Sequence, residues 1–338
     1  MEEYLNVELI LPPDNDNLGI SSPLLIVASD GKRYYLKNYK VKQDGNEYTL
    51  DAAFFQESLA YKLAEFLNIP SPSCATIYID EQTLNSFPDL RFKNKFTSGI
   101  YLASEYVENS SNDLNTLYQL MFTSNQPYFK RKVKNFFDLI ENKDDLSKIL
   151  YFDILTMNAD RFTNLGNLIF QNQEDRKKTI SIDYGFCFFN PFWDIPLSGQ
   201  MQKIKCLQNE KDGQDRAWET IQQFYSWSSQ HNQTKYALGL TFQFLNKNIY
   251  FNKGNPFKEI HEAAMTLTPS IITSMLNEIP DEWVVGGDQQ RQAYLFFLQK
   301  QLANMTEVLD LMNNNKMFSN NTQGGLLKWE KEQSMSTQ

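Results

Sequence analysis

The apolar pattern of this chain changes near residue 108 from the alternation of strands to the spacing of helices, and this change restricts the fold more than any other feature. The strand-like runs before it are VELIL, PLLIVA, KRYYLKNY, ATIYI and GIYLASEYV. Turn residues such as Asp30-Gly31 separate them, as in antiparallel hairpins. Apolar residues at i, i+4, i+8 and i+11 from Phe55 indicate one helix that ends before Pro70. Residues 1–107 therefore predict a mostly antiparallel sheet carrying one helix.

Beyond Glu108 most of the chain has the pattern of helices. The helical segments include LNTLYQLMF, KVKNFFDLI and SKILYFDILTMN, and residues 214–312 show the same spacing. One short hairpin interrupts them, with the strand NLIF, a charged turn QNQEDRKK and the strand TISID. We therefore predict an α+β chain with a mostly helical part at 108–315 and a polar tail at 316–338.

Composition excludes several classes of partner and site. The formal net charge is -9 at pH 7 and the pI is near 5.0, so bulk binding to nucleic acid is not expected. The three cysteines lack the spacing of metal ligands, which argues against a zinc site. The N-terminus lacks the features of a signal peptide, and no apolar run approaches the roughly 20 residues that span a bilayer. We expect a cytoplasmic protein without membrane contact.

The most informative stretch is NADRFTNLGNLIF, which holds Asp160, Asn164 and Asn167 and is followed after the hairpin by Asp183 in IDYG. An Asp in a loop after a helix, an Asn shortly downstream and a second Asp before Gly are typical of kinase active sites. Phosphoryl transfer needs one carboxylate to orient the attacking hydroxyl and oxygen ligands to hold Mg²⁺ against the phosphates. Asp160 fits the first task, and Asp183 with an Asn amide oxygen fits the second. Taken singly, each of these residues could instead cap a turn or form an ordinary loop.

A matching first half lies upstream. Gly19, Ser21 and Ser22 form a turn of small residues between two strands, where backbone N–H groups and hydroxyls could approach the phosphates of ATP. Lys37 on the third strand would supply a fixed positive charge. Glu57 on the following helix would pair with Lys37 and fix its rotamer.

At these residues the chain resembles the HipA-like kinases, which share their catalytic core with the phosphoinositide kinases. The likeness extends over most of residues 6–312 and includes LGISSPLLIVASDGKRYYLKNY, FFQESLAYKLAEFLNIPSPSCATI, YFDILTMNADRFTNLGNLIF and SIDYGFCF. It implies a two-lobed, protein-kinase-like fold. It also implies that ATP and Mg²⁺ are cofactors.

The resemblance assigns a role to each site residue. Asp160 would be the catalytic carboxylate, Asp183 a metal ligand and Lys37 a contact to the nucleotide phosphates. The stretch from Glu105 to Val107 would be the hinge whose backbone meets adenine.

One departure from the family pattern concerns the metal ligands. The family usually has Asn five residues after the catalytic Asp, whereas this chain has Leu165 there. Either Asn164 or Asn167 would then bind the metal. Asn167 is favoured because it immediately precedes the strand LIF.

Several functions remain open at this stage. The leading hypothesis is a protein Ser/Thr kinase, with an unidentified protein substrate, that acts as a toxin or defence effector and has an antitoxin or regulator as partner. Leu165 favours a second reading, a nucleotide-binding regulator that no longer transfers phosphate. A lipid or small-molecule kinase ranks lower, because residues 186–200 are almost uncharged. The last alternative is an interaction scaffold that binds no ATP.

Overall fold

The computed structural model describes residues 4–12, 23–43, 45–124, 129–193, 203–233, 238–321 and 327–329, with the side chains of 42, 43, 120–124, 129 and 130 excepted. Five strands of the first part form a closed barrel in the order β1-β2-β3-β7-β6. Their bounds are β1 Leu5–Ile10, β2 Leu24–Ala28, β3 Arg33–Leu36, β6 Cys74–Ile79 and β7 Gly99–Glu105. A separate hairpin consists of β4 Lys40–Gln43 and β5 Asn46–Thr49.

The barrel closes through a parallel pair of strands. Neighbouring strands are antiparallel from β1 to β6, with Tyr35 opposite both Leu25 and Ser104. The exception is the pairing of β1 with β6, where Leu5 lies opposite Ile77 in parallel register. The sheet is mostly antiparallel, as predicted, and this one parallel pair was not predicted. The two strands of a parallel pair are distant in the sequence, so no hairpin turn between them predicts the pairing.

Three helices, rather than the predicted one, belong to this part of the chain. The predicted helix is α1 Ala53–Phe66, and two short helices follow it, α2 Glu81–Ser86 and α3 Pro88–Phe92. Asp80 caps α2 by accepting a hydrogen bond of 2.7 Å from the backbone N–H of Thr83. Pro88 occupies the first turn of α3, where its missing N–H costs nothing. Both helices are too short to show an apolar period, which is why the sequence pattern missed them.

The rest of the described chain is mainly helical, as predicted. The helices are α4 Asp113–Ser124, α5 Phe129–Asp138, α6 Asp145–Leu155, α7 Ala159–Thr163, α8 Lys203–Leu207, α9 Gly213–Gln230, α10 Leu240–Asn248, α11 Lys258–Ala264, α12 Pro269–Asn277 and α13 Gly287–Asn314. The predicted hairpin is formed by β9 Leu168–Gln173 and β10 Arg176–Ser181. Only Glu174 and Asp175 turn between the two strands, because both extend into the segment that we predicted as a long turn. A two-residue strand, β8 Ser110–Ser111, pairs with β9.

A hydrophobic core extends from the barrel into the helical part. It contains Leu36 and Phe55 from the first part and Phe152 of α6 with Phe297 of α13 from the second. The indole N–H of Trp283 donates to the backbone oxygen of Ile100, 3.3 Å away, and so joins the two parts. The boundary at residue 107 stays a prediction, because packing is continuous across it.

The described residues near the C-terminus also pack against the helices. Phe318 and Leu327 are buried, and the indole N–H of Trp329 lies 3.2 Å from the carboxylate of Asp310. Part of the predicted tail lies outside the described residues. Within the described part of the chain, none of the helices combines the length and hydrophobicity that a bilayer span requires.

Candidate active site

Lys37 lies between two carboxylates that come from distant parts of the chain. Its backbone N–H donates to Leu102, 2.9 Å away, which holds the residue after β3 against β7. Its Nζ donates to Glu57 Oε1 at 2.5 Å and to Asp183 Oδ1 at 2.9 Å. Glu57 is on α1 and Asp183 follows β10. The fold thus brings these three predicted residues to one place.

Burial and the neighbouring charges have opposite effects on the pKa values of Lys37 and Asp183. Burial works against the charged form of Lys37, but Asp183 and Glu57 outweigh it and raise the pKa of the ammonium above its usual value. Burial likewise works against the charged form of Asp183, and Lys37 reverses the effect and lowers the pKa of that carboxyl. A positive Lys37 and an ionised Asp183 therefore coexist at neutral pH.

The backbone at Asp183 is in the left-handed region, with φ of 58°. This conformation costs a residue with a side chain about 1–2 kcal/mol, so the surrounding contacts must hold it. The guanidinium of Arg161 donates to the backbone oxygen of Ile182 at 2.7 Å. From the other side, the N–H of Tyr184 donates to Glu57 Oε1 at 3.3 Å. The helix glutamate therefore contacts both Lys37 and the segment that carries Asp183.

Arg161 and its partner Asp153 are functional candidates that the sequence analysis missed. Both side chains are fully buried, and Arg161 Nη1 donates to Asp153 Oδ1. The guanidinium also stacks over the Tyr184 ring, with 4.7 Å between its carbon and the ring centroid. Burial raises the pKa of Asp153 to about 7, although Arg161 opposes that shift. The available signal was one Asp within the otherwise apolar YFDIL segment of α6.

Asp160 is oriented by the side chains that follow it. It lies in the first turn of α7, which Asn158 caps by accepting from the N–H of Arg161. Asn167 Nδ2 donates to Asp160 Oδ2 at 2.6 Å, and Asn164 Nδ2 donates to Asn167 Oδ1 at 3.2 Å. Burial, with a contribution from the charge of Asp183, raises the pKa of the Asp160 carboxyl.

The two candidate asparagines have different environments. Asn167 is buried with 4% exposure, whereas Asn164 is exposed. Leu165, which replaces the family asparagine, is buried in the core. A Cβ on Gly166 would lie 2.9 Å from Asn164 Oδ1, so glycine permits the tight turn that carries both amides. The hydrogen bond to Asp160 ties Asn167 more directly to the predicted catalytic carboxylate.

The donor set fits Mg²⁺ better than a transition metal. Magnesium is usually held by one or two carboxylates together with phosphate oxygens and waters, and Asp183 with an asparagine oxygen provides ligands of this kind. A Cβ on Gly185 would lie 3.5 Å from both Asp183 Oδ1 and Glu57 Oε2, so the glycine keeps space open beside these carboxylates. In the part of the chain that the structure describes, no group of three or more His, Cys, Asp or Glu residues could hold a metal ion. An asparagine oxygen, phosphate oxygens and waters would therefore have to complete the ligands of Mg²⁺.

The predicted hinge lies at the end of β7. The N–H of Glu105 donates to the backbone oxygen of Ser73, and the side chain binds Lys32 at 3.2 Å. Within the described residues, no acceptor is found for the N–H of Val107. The predicted phosphate-loop residues Gly19, Ser21 and Ser22 lie outside the described residues.

A second buried network, also missed from the sequence, holds the segment after Asp183. Gln56 Nε2 donates to the backbone oxygen of Gly185. Gln56 Oε1 accepts from Tyr294 on α13 and from Lys203 on α8, each at 3.1 Å. Lys203 also donates to the backbone oxygen of Asn190. Gln56 precedes the predicted Glu57, but nothing in the sequence marked Lys203.

Comparison with known proteins identifies the family. The sequence matches the HipA-like kinase family over residues 14–195, which is more than half of the chain. Among solved structures it is similar to the proinflammatory kinase CtkA of Helicobacter pylori, at 14% sequence identity and a TM-score of 0.49. The similarity covers 90% of this chain and 96% of that chain. No curated protein matches the sequence. The family match includes Lys37, Glu57, Asp160 and Asp183, and the chain therefore belongs to the HipA-like kinases.

Proposed function

We propose that the chain is an ATP- and Mg²⁺-dependent protein kinase that transfers the γ-phosphoryl group of ATP to a Ser or Thr hydroxyl. The observation that carries the proposal is the position of Lys37 Nζ, within hydrogen-bond distance of both Glu57 and Asp183. A buried lysine held by two carboxylates in this way presents one fixed positive charge beside a candidate metal ligand. Membership of a kinase family supports the same chemistry.

Asp160 is the proposed catalytic carboxylate. Asn167 donates to one of its oxygens, which fixes the orientation of the carboxylate toward an incoming hydroxyl. Its raised pKa brings it closer to neutral pH, where a carboxylate accepts a hydroxyl proton more readily than an ordinary aspartate does. Asp160 therefore orients the acceptor hydroxyl and receives its proton.

Lys37 and Asp183 have complementary tasks in the proposal. Mg²⁺, when bound with ATP, supplies positive charge that neutralises the phosphate oxygens. Asp183 would hold the metal together with Asn167 or Asn164, and the lowered pKa of Asp183 keeps its carboxylate ionised for this task. Lys37 would bind the phosphates directly, while Glu57 keeps its side chain in place.

The nucleotide would bind across the barrel and the helical part. The backbone from Glu105 to Val107 would hydrogen-bond adenine, for which the N–H of Val107 is available among the described contacts. Gly19, Ser21 and Ser22 would contact the phosphates.

Transfer of radiolabel from [γ-³²P]ATP tests the proposal. The wild-type protein should label itself or a protein in a cell lysate in the presence of Mg²⁺, and phosphoamino-acid analysis should show phosphoserine or phosphothreonine. Asp160→Asn should lower the rate about 10²–10⁴-fold, the usual contribution of a general base. Asp175→Asn in the exposed β9–β10 turn is the matched control and should keep wild-type activity. Absence of label with wild-type protein on every substrate would overturn the proposal.

A nucleotide-binding regulator is the second candidate, because buried Leu165 takes the place of the family asparagine. It predicts a thermal shift with ATP and Mg²⁺ but no release or transfer of phosphate. Measurable turnover by wild-type protein that disappears in Asp160→Asn would exclude it.

The biological role that we propose is that of a toxin or defence effector with an antitoxin or regulator as partner. Induced expression should then arrest growth of a host cell, and Asp160→Asn should not. Equal arrest by both proteins would separate the toxicity from kinase activity.

A further inference from the structure

A small cavity lies between α8, α9 and α13, apart from the group formed by Lys37, Glu57 and Asp183. Its volume is about 80 Å³. Phe189 and Phe297 form an apolar side, whereas Lys205 and Arg216 bring positive charge. By the same measure of volume, a single water needs roughly 10–15 Å³, so the cavity has room for a small molecule or ion.

Arg216 is buried in the cavity wall, and the carboxylates of Asp212 and Glu219 act on it only from beyond ion-pair distance. Only 4% of its surface is exposed, and its guanidinium lies 5.8 Å from the centroid of the Phe297 ring. Nη1 donates to the backbone oxygen of Asn209 at 2.8 Å, while Nε has no acceptor among the described residues. An arginine stays protonated even when buried, so this site holds a positive charge whose hydrogen-bonding capacity is partly unused.

The carboxylate of the cavity is engaged elsewhere. Glu219 forms an ion pair with Lys211 and accepts from the side-chain amide of Asn209. No carboxylate in the described part of the chain lies within 4.0 Å of the charged nitrogens of Arg216 or Lys205. Among the described residues the cavity therefore has two cations without an ion-pair partner, although Asp212 and Glu219 partly offset the charge of Arg216 from a longer distance.

A buried cation favours an anion that can accept its free N–H groups, because a buried donor that is left without an acceptor destabilises the protein. The planar guanidinium matches the oxygens of phosphates and carboxylates, and the exposed Lys205 can supply a second charge at the mouth. We propose that this cavity is a binding site for a small oxyanion, with Arg216 as the main donor and Lys205 as the second. The apolar side at Phe189 and Phe297 accommodates the non-ionic part of such a ligand.

The occupant would contact the segment that begins at Asp183. Phe189 lines the cavity and follows Phe188 in the chain. Both residues have positive φ, 78° at Phe189 and 55° at Phe188. Positive φ is unfavourable for bulky residues, so packing must hold this part of the backbone. Phe188 contacts Tyr294, with 4.9 Å between the ring centroids. The lining of the cavity thus includes one residue of the segment that follows Asp183, but none of Lys37, Glu57 and Asp183.

Titration calorimetry with sodium phosphate, in the absence of ATP and at constant ionic strength, tests the proposal. A second titration with sodium acetate separates phosphate recognition from carboxylate recognition. Wild-type protein should bind at least one of the two anions saturably. Arg216→Met, which keeps most of the side-chain volume, should weaken binding about tenfold or more, as expected for loss of a charged hydrogen bond. Lys205→Ala should weaken it by a smaller factor.

The controls distinguish this site from other anion sites. Lys253→Ala removes one exposed lysine that does not line the cavity, and it should leave the affinity for the anion unchanged. Lys37→Met should also leave it unchanged; loss of binding in Lys37→Met with retention in Arg216→Met would place the anion at the proposed active site and overturn the inference. If Arg216→Met fails to fold, which circular dichroism would show, Lys205→Ala still tests the proposal, because Lys205 is exposed. Equal affinity in Lys205→Ala and wild-type protein would refute the proposal. Absence of saturable binding of both anions by the wild-type protein would refute it as well.

Discussion

Lys203 should make the stability of the protein rise with pH in the alkaline range. Its side chain is fully buried, and its Nζ donates to Gln56 and to the backbone of Asn190, with no carboxylate as ion-pair partner among the described residues. Burial lowers the pKa of Lys203 from 10.5 to about 7. Cys206, Asp51 and Cys187 oppose this shift without cancelling it.

The sign follows from the number of bound protons in each state. Between pH 7 and 10.5 the lysine is protonated in the unfolded chain and neutral in the folded protein. The unfolded state therefore binds more protons, and the free energy of unfolding increases by up to about 1.4 kcal/mol per pH unit. From pH 7 to about 9.5 the contribution of Lys203 should reach about 3 kcal/mol.

The assay is urea unfolding at several pH values, for wild-type protein and for Lys203→Met, under reducing conditions. Other groups titrate in both proteins, so the difference between the two stability curves isolates Lys203. The difference should change steadily with pH, since only the wild type becomes more stable through this lysine. Lys253→Met controls for removal of one exposed positive charge. Parallel curves for wild type and Lys203→Met would show that the buried lysine does not titrate in this range and would contradict the prediction.

Three further predictions concern other parts of the structure. Lys37→Met should remove the charge between the two carboxylates and abolish detectable phosphoryl transfer, with weaker ATP binding by calorimetry. Asp153→Asn should leave Arg161 buried without its counter-ion and lower the free energy of unfolding by about 3–5 kcal/mol, measured by urea titration. Gly239→Ala should lower the melting temperature, because a Cβ there would lie 2.3 Å from the backbone oxygen of Phe162 and the φ of 131° is unfavourable for alanine. An unchanged melting temperature would show that the backbone relaxes at this position.

The arrangement of strands and helices was largely accessible from the sequence, because it depends on local apolar periodicity. The helix α1 and the β9–β10 hairpin have clear patterns of this kind. Closure of the barrel was not accessible, since the pairing of Leu5 with Ile77 joins strands separated by most of the first part of the chain. The short helices α2 and α3 escaped for a different reason, because two turns or fewer do not establish a period.

The candidate site divides in the same way. Residues such as Lys37, Glu57 and Asp183 carry charges in an order that phosphoryl transfer requires, so the chemistry itself indicated them. Their roles stay predictions. Asp153 had only a weak signal, as one Asp in an apolar segment, and Lys203 had none, because the burial of a charged side chain depends on partners from other elements. The burial of these two side chains is visible only in the three-dimensional structure.

The neighbouring positions of Gln56 and Glu57 on α1 have a consequence for motion. One residue holds the backbone at Gly185, and the next holds Lys37 and the N–H of Tyr184. A rotation or shift of α1 would therefore break the contacts to Lys37, Tyr184 and Gly185 together. Intermediate arrangements, with the lysine in place and the loop released, would lose one set of bonds without gaining another. Movement of α1 should therefore couple the position of Lys37 to that of the segment after Asp183, whereas the hydrogen bond from Arg161 to Ile182 does not depend on α1.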